Sequence, residues 1–295
     1  MRTPKGYTGP RKVRDTPLEG SFHSHQVPLP KCKTSDEEFK LLEKWLKSYH
    51  PDEIFNVNTG NENKLINRNA LSIIPTNPES RMGYIKDTYD SHKQLDVPEW
   101  LEFAKEKGTN ISTMEVVGEI FADVIKRNPK HFRIFCPDEL ESNKLSKALD
   151  VTTRNFQWDP ETAHKGGRVI EMLSEHTLQG FMQGYSLTGR TAVFPSYEAF
   201  LNIVASMIIQ YSKFIKMGLD MDWRGDVSSL TYIATSNLFE QEHNGYSHQS
   251  PGIISTFQTL PRHLARIYFP VDANQTLSCI AHCLRSKNYV NLVSK

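Results

Sequence analysis

The chain has 295 residues, 38% hydrophobic and 23% charged, enough for one large core or for a domain of ~150–200 residues with appended segments. With 35 Lys+Arg against 34 Asp+Glu the formal net charge is +1, which excludes an overall electrostatic pull toward nucleic acid or anionic lipid. No apolar run approaches the ~20 residues of a membrane-spanning helix, and the basic opening MRTPKGYTGPRKVRD has no apolar stretch behind it, so a cytoplasmic protein without membrane contact is expected.

Residues 1–35 are rich in Pro, Gly, Lys and His, show no period, and read as an extended irregular arm. Ser35-Asp36-Glu37-Glu38 has the spacing of a capping box, and Phe39, Leu42, Trp45/Leu46 and Tyr49 predict a helix that Pro51 stops. Residues 52–100 are Asn-rich with scattered Pro and Gly and read as a connector. From Ser112 the texture changes. Ser112 to Glu115 repeats the capping-box spacing, and Val116/Val117, Ile120/Phe121 and Val124 form one apolar stripe that Asn128-Pro129 ends.

A short buried-type strand follows at 132–135, then a mixed segment over 168–188 and a strand at 192–194. Ser196 is placed to cap a helix carrying Phe200, Ile203/Val204, Met207/Ile208, Tyr211 and Phe214/Ile215. Beyond it come a strand near 230–235, a polar loop over 236–251, a strand at 266–269, a helix after Asp272 and a last strand at 291–293. Strands alternating with helices predict an α/β domain over 112–295: a doubly wound, mainly parallel sheet with helices on both faces. Such a domain usually continues beyond a strand like the last one, and the chain opens as though mid-domain, so both ends read as cut.

Three polar clusters carry candidate chemistry. The densest runs from Gln241 to Gln249, with Glu242, His243, Asn244 and His248; two histidines five apart can donate to phosphate or sugar hydroxyls or move protons. A solvated turn around Asn244-Gly245 is the plainer alternative. Leu173-Ser174-Glu175-His176 places a carboxylate in apolar surroundings, where burial would shift its pKa, although a helix-start glutamate reads the same way. Ser142-Asn143-Lys144 offers a hydroxyl and an ammonium to an anion, as many surface loops do. The cysteines, Cys32, Cys136, Cys279 and Cys283, read as reduced thiols; Cys279-x-x-His282-Cys283 on one helix cannot surround a metal alone.

The segments "RTPKGYTGP", "FRIFCPDELESNKL", "LSEHTLQGFMQGYSLTGR", "PSYEAF", "QEHNGYSHQSPG" and "DANQTLSCIAHCLRSKNYVN" together resemble phosphoketolases. These thiamine-diphosphate enzymes cleave xylulose 5-phosphate or fructose 6-phosphate with inorganic phosphate to give acetyl phosphate. The resemblance covers the middle of such an enzyme. It implies that residues 1–35 are the tail of a diphosphate-binding domain, 36–111 a connector, and 112–295 the pyrimidine-binding domain. It further implies a cofactor shared between two subunits, hence a homodimer or association with a full-length homologue, and Mg²⁺ held by residues of the N-terminal domain. By the same resemblance Glu175 matches the glutamate that hydrogen-bonds the aminopyrimidine. Tyr197, Gln241, His243, Asn244 and His248 match the lining of the substrate channel, with His248 in proton transfer. Ser142, Lys144, His243 and Asn244 match phosphate ligands.

The sequence also departs from the family pattern. Lys144 stands where arginine is usual, which replaces a bidentate fork by a point charge. "RMGYIKDTYDS" lacks an Asn-Pro-His-rich run, and "SNLFEQEHNG" replaces a segment that usually carries His, Trp and Asp. "NLVSK" is shorter than the strand before the family's phosphate-binding lysine, which leaves open whether Lys295 is that lysine. A truncated, non-catalytic homologue and another transketolase-like enzyme are the alternatives.

Overall fold

The computed structural model describes residues 6–25, 27–55, 71–77, 80, 92–157, 159–236 and 247–295. Residues 1–81 and 82–295 form two compact units. In the first, a helix over Asp36–Lys47 starts at Ser35, whose Oγ accepts from the Glu38 N–H at 3.4 Å. Only half of the expected capping box forms. The buried Glu38 carboxylate accepts from the Lys31 N–H at 2.7 Å, while the Ser35 N–H donates to Lys31 O at 2.8 Å. Trp45 Nε1 and Tyr49 Oη donate to Thr8 O at 3.0 and 2.9 Å, pinning the irregular arm to this helix.

The second unit runs α1 (Thr113–Arg127), β1 (Phe132–Cys136), β2 (Arg154–Phe156), β3 (Val169–Glu171), α2 (Glu175–Leu187), β4 (Thr191–Tyr197), α3 (Glu198–Leu201), α4 (Ala205–Leu219), β5 (Leu230–Thr235), α5 (Gly252–Gln258), β6 (Ala265–Tyr268), α6 (Ala273–Arg285) and β7 (Val290–Ser294). The seven strands form one sheet in the order β2-β3-β1-β4-β5-β7-β6, every pair parallel. The doubly wound reading is therefore correct, and the family of strands reads as it should for a sheet covered on both faces. β4 and β5 are buried at every residue, and their sequences TAVFPSY and LTYIAT are near-continuous apolar runs rather than alternations.

The pleat sorts these strands into two cores. Phe132, Ile134, Val193, Ile233 and Val293 face α1 and α6, while Phe135, Phe194, Tyr232, Ala234 and Leu292 face α2, α4 and α5. The Tyr232 hydroxyl, fully buried, donates to Gln179 Oε1 at 2.8 Å across the second core. Two expectations need correction, and one helix was not anticipated. Ser112 precedes α1 without a side-chain cap bond. Ser196 is a strand residue, because β4 runs on to Tyr197 and the chain reaches α4 through α3 and a 3₁₀ turn over Asn202–Val204. The polar stretch after β5 gives way at Gly252 to α5, whose Ile253 and Phe257 are buried.

Among the described residues no helix is long and apolar enough to cross a membrane. Phe121 is fully buried between α1 and β1, its ring 5.7 Å from that of Phe132, whereas Met217 on α4 is 60% exposed. Phe121→Ala should therefore cost about 3–5 kcal/mol of unfolding free energy in urea, and Met217→Ala within about 0.5 kcal/mol of none. Equal losses would contradict this placement of the core.

Candidate functional site

In a parallel sheet all strands end on the same side, and ligands of such folds sit beyond those carboxyl ends. Here Ser142 and Lys144 follow β1, Glu175 follows β3, Tyr197 ends β4 and His248 follows β5, so all five lie at or beyond the carboxyl ends of four adjacent strands.

The loop after β1 folds back sharply. Asp138 takes a left-handed φ of 62° and its N–H donates to Cys136 O at 3.0 Å. One turn follows, in which Asn143 N and Ser142 Oγ donate to Glu139 O at 2.9 and 3.1 Å. Lys144, again left-handed at φ 61°, ends it. A non-glycine residue in this region is uncommon, and two of them set the direction in which Ser142 and Lys144 stand exposed. Glu175 is the first residue of α2, behind the N-cap Ser174, whose Oγ accepts from Thr177 N at 3.3 Å. The helix N-terminus favours a carboxylate there. Glu175 is half-buried, next to an exposed Leu173.

Tyr197 is buried at the end of β4, and its ring meets that of His248 edge-on at 4.6 Å; Phe200 closes on the same imidazole at 5.1 Å. His248 is held from three sides. Its Nδ1 lies 2.8 Å from Ser247 Oγ, and its carbonyl accepts from Ala199 N at 3.3 Å. Two residues on, the fully buried Glu198 accepts from Ser250 N at 2.8 Å. Gln241, His243 and Asn244 lie outside the described residues. Lys295 donates its N–H to Ala234 O and its Nζ to Pro270 O, at 2.7 and 3.2 Å. Burial holds its ammonium below the usual lysine range.

Among the predicted site residues Glu175 was expected as the buried acid. The structure gives that character to Glu139, which the sequence reading did not single out. Its Oε2 accepts from Ser196 Oγ and Tyr197 N, each at 3.1 Å, and from Asn143 Nδ2 at 3.5 Å. Asn143 in turn accepts from Thr235 Oγ1 at the end of β5. Burial pushes the Glu139 carboxyl up to about 7, against the pull of those three donors and with a further rise from the charge of Glu175. The sequence signal was a carboxylate three residues past a buried strand, a position easily taken for a loop surface. At the other candidate cluster, His282 Nε2 meets Arg266 Nη1 at 3.0 Å, and burial pushes the thiols of Cys279 and Cys283 up. No group of three or more potential metal ligands occurs among the described residues.

A family model described as D-xylulose 5-phosphate/D-fructose 6-phosphate phosphoketolase matches residues 115–286, and one described as XFP N-terminal domain matches residues 1–93. A probable phosphoketolase of Schizosaccharomyces pombe is 47% identical over 293 residues, 99% of this chain and 35% of its own length. One from Thermosynechococcus vestitus is 39% identical over 311 residues, 99% of this chain and 37% of its own. The chain thus spans about a third of the length of the curated relatives it matches. Among solved structures, transketolase from Leishmania mexicana matches with a TM-score of 0.52 at 13% identity, over 87% of this chain and 31% of its own. Transketolase from Campylobacter jejuni matches with a TM-score of 0.54 at 16% identity, over 94% of this chain and 39% of its own. These two likenesses show the fold.

Glu139 makes stability depend on pH with a definite sign. Its folded pKa of about 7 lies above the ~4.3 of an unfolded glutamate, so the folded state binds the proton more tightly. The stabilisation is complete below the unfolded value and is lost as pH rises through 7. Comparing urea midpoints at pH 4.5 and 7.5, Glu139→Gln should remove a decline on the order of 3 kcal/mol from the wild-type profile. Parallel profiles for the two proteins would show that Glu139 ionises normally.

Proposed function

We infer the function from one premise: this chain belongs to the phosphoketolase family, whose model matches more than half of it. We propose that it forms the pyrimidine side of a thiamine-diphosphate site in an aldehyde-lyase of that family. The reaction joins a ketose phosphate, xylulose 5-phosphate or fructose 6-phosphate, with inorganic phosphate to yield acetyl phosphate, an aldose phosphate and water. The observation that carries this reading is the convergence of Glu175, Tyr197, His248, Ser142 and Lys144 on the ends of four adjacent parallel strands.

The residues present fit the cofactor's aminopyrimidine. A ring that is apolar on its faces and hydrogen-bonding on its edge needs a carboxylate beside an apolar surface, and Glu175 beside the exposed Leu173 supplies both. When bound, the cofactor supplies an electron sink for breaking a C–C bond next to a carbonyl. This chain's residues do the rest of their share by position. Glu175 holds the pyrimidine edge and fixes which ring nitrogen carries a proton. His248, wedged between Tyr197 and Phe200, is oriented to move a proton to or from the substrate. Ser142 and Lys144 face solvent beyond β1, where a hydroxyl and an ammonium suit phosphate. Gln241, His243 and Asn244 complete the channel by resemblance. The diphosphate and Mg²⁺ would be held by residues outside this chain, and the working unit would be a homodimer or an assembly with a full-length homologue.

One feature favours a second reading, a non-catalytic homologue: by the resemblance Lys144 stands where arginine is usual, and a lysine offers phosphate a point charge in place of a planar bidentate fork. A hydroxamate assay for acetyl phosphate separates the two. The purified chain alone should be silent. Combined with the N-terminal segment of its Schizosaccharomyces pombe relative it should turn over xylulose 5-phosphate, and Glu175→Gln should reduce that turnover at least ~100-fold. Turnover by the chain alone would overturn the division of the site. Silence of the combined assembly, with its association confirmed by sedimentation, would favour the non-catalytic homologue.

A further inference from the structure

The opposite edge of the sheet, where the strands begin, gathers cations. β3, β1 and β4 lie side by side, and each starts on basic residues: Arg168 before β3, Lys130, His131 and Arg133 at β1, and Arg190 before β4. The ladder fixes their proximity. Ile134 N donates to Arg168 O at 3.0 Å, and Thr191 N donates to His131 O at 2.9 Å. Lys93 is drawn to the same edge, its N–H donating to Gly189 O at 2.7 Å. Gly167 permits this arrangement, because a Cβ there would stand 2.3 Å from Thr153 O; Gly189 turns with a φ of 83° just before Arg190.

The guanidiniums of Arg133 and Arg190 lie 5.2 and 5.7 Å from the centre of the Tyr185 ring. They border a groove of about 370 Å³ that Phe135, Phe181, Tyr185 and Thr188 also line. Gly180 and Gly184 leave its helix wall bare, since a Cβ at either would meet nothing within 4 Å. Among the described residues no carboxylate pairs with Arg133, Arg168 or Arg190, and none is among the charges acting on Arg168. Burial holds Arg168 below its usual range; Tyr185 opposes that shift, and Arg133 and Arg190 add to it. Burial likewise lowers His131, and the charges acting on it are those of Arg190, Lys93, Arg168 and Lys130. Arg133 Nε is buried without a hydrogen-bond partner among the described residues. Clustered, partly desolvated cations repel one another, and a bound oxyanion would relieve that repulsion.

We propose that this groove binds a small phosphorylated metabolite, its phosphoryl group between Arg133 and Arg190 in the positive field of Arg168 and its remaining carbon skeleton along Tyr185 and Phe181. The site is independent of the one at the strand ends, since it lies at the other end of the same strands. Calorimetric titration of the full chain with inorganic diphosphate, at constant ionic strength, tests it. Saturable binding should persist in Lys144→Gln, which removes a phosphate contact proposed for the other end. It should weaken about 10-fold or more in Arg190→Gln, with Arg190→Lys restoring part of the affinity. Arg190 lies near the surface and bonds only Thr188 Oγ1 among the described residues, so its replacement leaves the core intact. Absence of saturable heat, or heat unchanged in Arg190→Gln, would overturn the proposal. Citrate binding as tightly as diphosphate would overturn the choice of a phosphoryl group.

Discussion

Glu139 accepts hydrogen bonds from the end of β4 and from its own loop after β1, and the geometry beyond the strand ends follows from that buried carboxylate. Through Ser196 Oγ and Tyr197 N it fixes where β4 stops, and through Asn143 it reaches Thr235 at the end of β5. The three donors favour its charged form while burial opposes it. Such a balance places its pKa at about 7, so at neutral pH a modest change in nearby charge tips its protonation. Tyr197, carried by the same anchored backbone, presents its ring to His248. Positions on both sides of the candidate site thus depend on one side chain that is itself away from solvent.

The parallel sheet imposes a second constraint, a division of labour between its two ends. Every strand points the same way, so side chains that follow strands collect at one end and those that precede strands collect at the other. The first end holds carboxylates, a histidine and exposed Ser142 and Lys144. The second holds Arg133, Arg168 and Arg190 around Tyr185. No single helix or loop creates either cluster; both arise from the winding order β2-β3-β1-β4-β5-β7-β6.

The architecture was legible wherever burial writes directly into residue type. The strand at 230–235, the helix after Asp272 and the stripe of α1 were read at or near their observed bounds, because fully buried strands are apolar throughout and amphipathic helices repeat every three to four residues. Ser196 misled for a physical reason. A serine before helical sequence is usually a cap, but here its hydroxyl serves Glu139, a partner 57 residues away that no local pattern reveals. Glu139 escaped notice for the same cause: its burial is produced by three strands meeting, not by its neighbours in sequence. Glu175, Tyr197 and His248 were found through family resemblance, and spacing alone would not have joined them. Their shared position at the strand ends is a property of topology.

The central claim is that the carboxyl end of the sheet is the pyrimidine half of a thiamine-diphosphate site. The most direct measurement is amide NMR of the full chain titrated with the aminopyrimidine portion of thiamine alone. The account predicts saturable shifts at Leu173, Glu175 and the first turn of α2, spreading to Tyr197, and their loss in Glu175→Gln. Shifts confined to other surfaces, or shifts that survive Glu175→Gln unchanged, would contradict it.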